Sequence, residues 1–182
     1  MRLHAPTSPS PSEDLVLTRV RRPGPELLAA LEAYDFEAFG PTGLRTYDLA
    51  VMTQAGAVFL AHVAGEIVGS CQLIRVLDEP SYLYVVGFYI RPEWQGRHLG
   101  RRLLLAVAEE SQRLGAEGLV LTVGPENVKA MTLYKSAGFV SEAFMAQFYG
   151  KGEDRHILRW RFSEGACQAV YDRKPAKEAG RP

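Results

Sequence analysis

The chain has 182 residues, 47% hydrophobic and 23% charged, a length and balance that suit one globular domain with a substantial core and exclude disorder throughout. Its 21 Lys and Arg offset 21 Asp and Glu, a formal net charge of zero, which excludes a whole-molecule pull toward nucleic acid or anionic membrane. No apolar run approaches the roughly 18 residues of a membrane span, no secretion-signal pattern opens the chain, and Cys71 and Cys167 stand in no metal-like or redox-like spacing, so the expectation is a cytoplasmic protein with reduced thiols and no metal site.

Residues 5–13 (APTSPSPSE) and the closing KPAKEAGRP are too rich in Pro, Ser and charge to order themselves. A disordered arm over 1–14 and a flexible tail over 163–182 are therefore expected around one folded unit, 15–162. Val16–Val20 reads as a short strand, and residues 25–39 as a helix with Leu27, Leu31, Tyr34 and Ala38 at helical spacing and Leu28 beside them. A second helix is expected around Arg45–Gln54. Ala57–Val63 and Glu66–Val76 then read as strands joined by the tight turn Ala64-Gly65.

Tyr82–Ile90 (YLYVVGFYI) is a continuous β-branched and aromatic run, the pattern of a strand buried on both faces. Gly87 within it marks either a bulge or a close packing contact. A long helix is predicted from Leu99 to Leu114, with Leu99, Leu103, Ala106, Val107 and Leu114 on its apolar stripe and Gly115 as its stop. Gly118–Val123 is a further strand. Val128–Ser136 reads as a helix carrying Ala130, Leu133, Tyr134 and Ala137, stopped by Gly138, before two strands, Ser141–Tyr149 and Arg155–Phe162. Helices and strands alternating in this way predict an α/β fold around one mixed sheet.

The segment Ile90 to Leu104, IRPEWQGRHLGRRLL, leads a strand through a glycine-containing loop into a helix. A helix start offers unpaired N–H groups and the positive end of the macrodipole, which together suit a phosphate or pyrophosphate. Gly96 and Gly100 permit close approach, and Arg97, Arg101 and Arg102 add positive charge.

Residues 95–100, Q-G-R-H-L-G, resemble the pyrophosphate signature of the GNAT acetyltransferases, R/Q-x-x-G-x-G/A. Gln95 and Gly100 match its ends; His98 replaces the middle glycine, which backbone binding tolerates if its φ is ordinary. Downstream, Asn127, Tyr134 and Gly138-Phe139 in ENVKAMTLYKSAGF resemble the second half of the family pattern. The resemblance implies the GNAT fold, with about seven strands in a central mixed sheet and about four helices. It implies acetyl-coenzyme A as cosubstrate and direct transfer of the acetyl group to a primary amine in a ternary complex.

The resemblance also implies roles. The fourth and fifth strands splay apart for the pantetheine arm, which would run along the backbone of Phe88, Tyr89 and Ile90, with an amide near Phe88 or Tyr89 polarising the thioester carbonyl. Gln95, Gly96, Arg97, His98, Leu99, Gly100 and Arg101 would hold the pyrophosphate. Asn127 would contact coenzyme A while capping its helix, and Tyr134 would be the acid that protonates the departing thiolate. The ribosomal-protein branch carries a glutamate base five residues before the asparagine, where this chain has Thr122. Water held by the backbone or by Tyr82, Tyr84 or Glu142 is one substitute. His156 is another, although alternation groups it with Leu158, Trp160 and Phe162 on an inward face.

The segment FYGKGEDRHILRW resembles the closing hairpin of N-terminal protein acetyltransferases, with Tyr149 retained and Phe148 in place of its partner tyrosine. The facing loop is Gly40–Thr46, expected to be small and flexible. A peptide or protein α-amine is one acceptor class; a small cationic amine, favoured by Asp78, Glu79 and Glu142, is the other. A homodimer, common among relatives, is compatible with the sequence. A catalytically silent acyl-coenzyme A sensor is the alternative function.

Overall fold

The computed structural model describes residues 14–163; nearly all of the expected arm and tail, and Cys167, lie outside them. Seven strands form one sheet in the order β1-β2-β3-β4-β5-β7-β6. They are β1 (Val16–Val20), β2 (Ala57–Val63), β3 (Glu66–Arg75), β4 (Tyr82–Ile90), β5 (Gly118–Val123), β6 (Val140–Met145) and β7 (Arg155–Arg161). All neighbours pair antiparallel except β4 and β5. That parallel pair needs a crossover, which the helix α3 (Leu99–Arg113) supplies. The remaining helices are α1 (Pro25–Phe39), α2 (Thr46–Ala55) and α4 (Val128–Ala137).

Two cores result from the alternation of side chains along the strands. Phe59, Ala61, Leu73, Leu83, Val85, Leu119, Leu121 and Leu158 bury against Leu103, Leu104 and Val107 of α3 and Tyr134 of α4. On the other face Val58 and Leu60 meet Leu31 of α1 and Leu49 and Met52 of α2. Each fully buried leucine contributes about 2 kcal/mol.

Several expectations shift. β3 ends at Arg75 rather than Val76, and β6 spans Val140–Met145, not Ser141–Tyr149. Residues 146–149 instead form the turn into β7, where Gln147 takes a positive φ and its N–H donates to Asp154 Oδ1. β4 is not sealed on both faces, because Val86 is 38% exposed. On α1, Ala38 is exposed, while Asp35 is completely buried. Turn chemistry matches the sequence better: Ala64 and Gly65 both have positive φ, the two-residue hairpin geometry. Gly115 follows α3 with φ +77°, and the Ala116 N–H reaches back to the Ser111 carbonyl.

Candidate active site

The β4–β5 ladder consists of Tyr82↔Gly118, Leu83↔Leu119 and Tyr84↔Val120, and then stops. β4 continues to Ile90 and β5 to Val123, so the two strands part. On its other edge β4 stays paired with β3, with Phe88, Tyr89 and Ile90 opposite Cys71, Ser70 and Gly69. One side of this backbone is thus engaged and the other faces the gap. The register moves from Leu73↔Val85 to Gln72↔Gly87, leaving Val86 as the extra residue of a bulge. Both readings of Gly87 hold. It flanks the bulge, and a Cβ there would run into Gln72 Oε1, with Gln72 Cδ at 3.3 Å and Phe39 Cε2 at 3.6 Å.

At the far end of β4, Pro92–Trp94 form a 3-10 turn, and Gln95, Gly96, Arg97 and His98 are exposed. Gln95 does not point outward; its Nε2 donates to the Ile90 carbonyl at 3.0 Å and fixes the loop to the strand. Gly96 has φ +78° and open space where a Cβ would stand. His98 is the N-cap of α3, with φ +59° and ψ 11° and no side-chain cap bond. The expectation of an ordinary φ for His98 is therefore corrected. The loop takes the left-handed turn that the family's glycine provides, and histidine is among the side chains that enter it more readily. The His98 side chain does not cap the first-turn amides of α3, and Gly100 faces inward to Leu133. The Arg97 guanidinium stacks on the Trp94 ring, 4.7 Å from its centroid. An exposed, amide-rich turn with arginines beside it fits a pyrophosphate.

Across the gap, Asn127 caps α4 by accepting from the Ala130 N–H at 3.1 Å. Tyr134 is buried, with its ring edge-on to Phe88 at 6.1 Å and tilted against Phe139 at 5.5 Å. Burial, with the Cys71 thiol adding to it, holds its hydroxyl far above the ordinary phenol value, so the phenol stays protonated. The Cys71 thiol is fully buried and is pushed up by that burial.

The candidates for a base separate clearly. Thr122 Oγ1 lies 3.0 Å from the Tyr84 hydroxyl and 3.1 Å from that of Tyr149, and the two phenols are 3.1 Å apart. Burial pushes Tyr84 up to about 12, which disfavours it as a proton acceptor. Glu142 is taken up by Arg159, at 2.9 Å, and the same guanidinium holds Glu79 through two bonds of 2.7 and 3.1 Å. Arg159 also covers the Tyr82 ring, 4.4 Å from its centroid. His156 lies opposite Val123 and packs on Phe144 at 5.1 Å; it is half-buried rather than sealed inward.

Sequence reasoning missed a polar cluster beneath the bulge. The Asp35 carboxylate accepts from Gln72 Nε2 at 3.2 Å and from the Leu44 N–H at 3.4 Å. Gln72 Nε2 also donates to Ser70 Oγ, which donates to the Phe59 carbonyl. Burial raises Asp35 to about 6, against the lowering effect of its hydrogen bonds. Tyr89's buried hydroxyl lies in the field of Asp35, yet among the described residues neither it nor Gln72 Oε1 has a partner in good hydrogen-bond geometry. The loop Gly40–Thr46, expected to be flexible, is tied to this cluster through Leu44 and to Glu32 through Arg45 and Thr46. A polar residue at a helix position that continues the Leu27–Leu31 stripe was the signal available.

The profile of the Acetyltransferase (GNAT) family matches residues 24–139, more than half of the chain. The chain belongs to the GNAT acetyltransferase family. An uncharacterised protein of Mycobacterium leprae is 26% identical over 81% of this chain, which spans only 41% of that protein's length. The N-alpha-acetyltransferase RimI of Mycobacterium tuberculosis is 26% identical over 81% of this chain and 93% of its own. A Bacillus subtilis acetyltransferase solved with coenzyme A shares the fold, with a TM-score of 0.69 and 17% identity over 82% of this chain and all of that one. GNAT enzymes take acetyl-coenzyme A as cosubstrate, and the parted strands and the α3 turn fit that molecule. No helix among the described residues is long and apolar enough to cross a membrane.

Proposed function

We propose that the folded unit, 15–162, transfers an acetyl group from acetyl-coenzyme A to a primary amine. The observation that carries this reading is the parting of β4 and β5 beyond Tyr84 and Val120, on the strand that leads into the exposed Gln95–His98 loop. Backbone amides from Gly96 to Arg101 hold the pyrophosphate, and Gln95 positions that loop through Ile90. The free edge of Phe88, Tyr89 and Ile90 pairs with the pantetheine arm, and an amide beside Gly87 polarises the carbonyl. The cosubstrate supplies the activated acetyl group as a thioester. Asn127 lies at the mouth of the gap, and Tyr134, kept protonated by burial, holds the proton that the leaving sulfur needs.

Calorimetry with acetyl-coenzyme A, coupled to thiol release against a panel of amines, tests the reading. Micromolar binding with release is the expected result; no binding would remove it. A silent acyl-coenzyme A sensor is favoured by one feature, Thr122 in place of a carboxylate. Tyr134→Phe separates the two: a transferase loses turnover by roughly tenfold to a hundredfold with cosubstrate affinity kept, whereas a sensor shows no turnover to lose.

A further inference from the structure

The parted strands and the β6–β7 hairpin gather three hydroxyls that the scheme above does not use. Tyr84 and Thr122 are half-buried, Tyr149 is 59% exposed, and their oxygens close a triangle of 3.0, 3.1 and 3.1 Å. In such a ring each hydroxyl donates once and accepts once, and the threonine oxygen retains a second acceptor site. The ring therefore offers neutral acceptors at the point where the β4–β5 ladder ends.

Each of the surrounding carboxylates already has a hydrogen-bond partner. Glu79 and Glu142 share Arg159, Glu153 pairs with Arg155, and Asp154 accepts from the Gln147 N–H. The Arg155 guanidinium lies over the Tyr149 ring, 5.1 Å from its centroid. Across the bulge the surface is apolar. Phe39 is 38% exposed and stands edge-on to Tyr89 at 5.8 Å, above Gly87, and Val86, the residue before Gly87, is 38% exposed.

From this combination we propose that the acceptor is a primary monoamine bearing an apolar substituent next to the nitrogen. Its amine sits on the Tyr84–Thr122–Tyr149 ring and its substituent against Phe39 and Val86. The inference rests on the transferase reading and specifies the substrate class for it. A single amino-acid-like amine and a protein N-terminus share this chemistry, so the probes are L-leucinamide, a tripeptide with an N-terminal leucine and a free α-amine, and spermidine.

Cosubstrate affinity is measured first by calorimetry on the unaltered chain, Thr122→Val and Tyr149→Phe. Binding of L-leucinamide and of the tripeptide to the coenzyme A-loaded proteins follows, and then turnover of all three amines. Burying the leucyl group on the apolar flank should give at least one leucyl probe a kcat/KM advantage of roughly tenfold or more over spermidine. Whichever leucyl probe is preferred identifies the source. Both variants should weaken binding of that probe by roughly fivefold to tenfold, with acetyl-coenzyme A affinity within twofold, which also shows them folded. Preference for spermidine, or unchanged amine binding in both variants, overturns the inference while leaving the transferase reading intact. Failure of the unaltered chain to bind acetyl-coenzyme A removes both.

Discussion

Replacing Asp35 by asparagine should stabilise this protein at neutral pH. Asp35 is completely buried, and burial lifts its carboxyl from the ordinary 3.8 to about 6. A raised folded value means that the native state holds the proton more tightly than the unfolded chain does. The stabilisation is therefore fully present below pH 4 and is lost as the pH rises through 6. Above that window the ionised carboxylate costs the native state up to about 3 kcal/mol, at 1.36 kcal/mol for each pH unit between the two values. Asparagine has the same shape and cannot ionise. Its oxygen keeps the Leu44 N–H, and its amide can donate to Gln72 Oε1, which has no partner among the described residues, once the Gln72 amide turns over. Urea unfolding followed by the fluorescence of Trp94 and Trp160, repeated from pH 4 to pH 8, reads the effect. The difference between Asp35→Asn and the unaltered chain cancels every other titrating group. It should be near zero at pH 4 and reach about 1–3 kcal/mol in favour of asparagine by pH 7.5, or about 3–10 °C in Tm. Parallel stability curves, or a less stable variant at pH 7.5, would refute the reasoning.

Gly87→Ala drives a methyl into Gln72 Oε1, and Gln72 cannot swing away without releasing Asp35 and Ser70. The cost should be about 1–3 kcal/mol by urea unfolding, and Gln72→Ala in the same chain should recover part of it; strictly additive losses would contradict the contact. His98→Gly removes a Cβ from a backbone at φ +59°. Against the extra unfolded-state freedom of glycine it should gain up to about 1 kcal/mol, with acetyl-coenzyme A affinity unchanged if, as proposed, the loop's amides do the holding. A loss of stability would show that the His98 ring contributes packing of its own.

The element order was legible because this sequence is locally consistent. Aromatic and β-branched runs mark β4 and β5, the Ala64-Gly65 pair closes a hairpin, and Gly115 and Gly138 stop their helices. The loop before α3, the start of that helix and the Asn127 cap of α4 were legible for the same reason, since they are local features. The acceptor side was not. Thr122 and Tyr84 sit on parallel strands separated by a whole crossover helix, and Tyr149 comes from a hairpin. No spacing rule reports that their oxygens meet. Nor does any spacing rule report that Glu79 and Glu142, offered with Asp78 as a cationic-amine signal, share one guanidinium, Arg159. Asp35 drew no reading from the sequence because its partners, Ser70 and Gln72, lie on a distant strand, β3.

One inserted residue reconciles the two halves of the site. Upstream of the bulge Leu83 and Val85 face α3 and α4, and Tyr82 and Tyr84 face the opposite side. Strict alternation would continue by turning Phe88 and Ile90 toward α1, away from Tyr134. Because Val86 is unpaired, the alternation resets. Phe88 and Ile90 join the α3 and α4 core, where Phe88 meets Tyr134 edge-on, while Gly87 and Tyr89 turn toward Phe39, Gln72 and Asp35. The insertion falls two residues beyond Tyr84, the last residue of β4 that pairs with β5. The proton-holding phenol and the hydroxyl ring therefore stand on opposite faces of one opening. A bulge in a strand that carries the glycine is what allows a single strand to supply the wall for both.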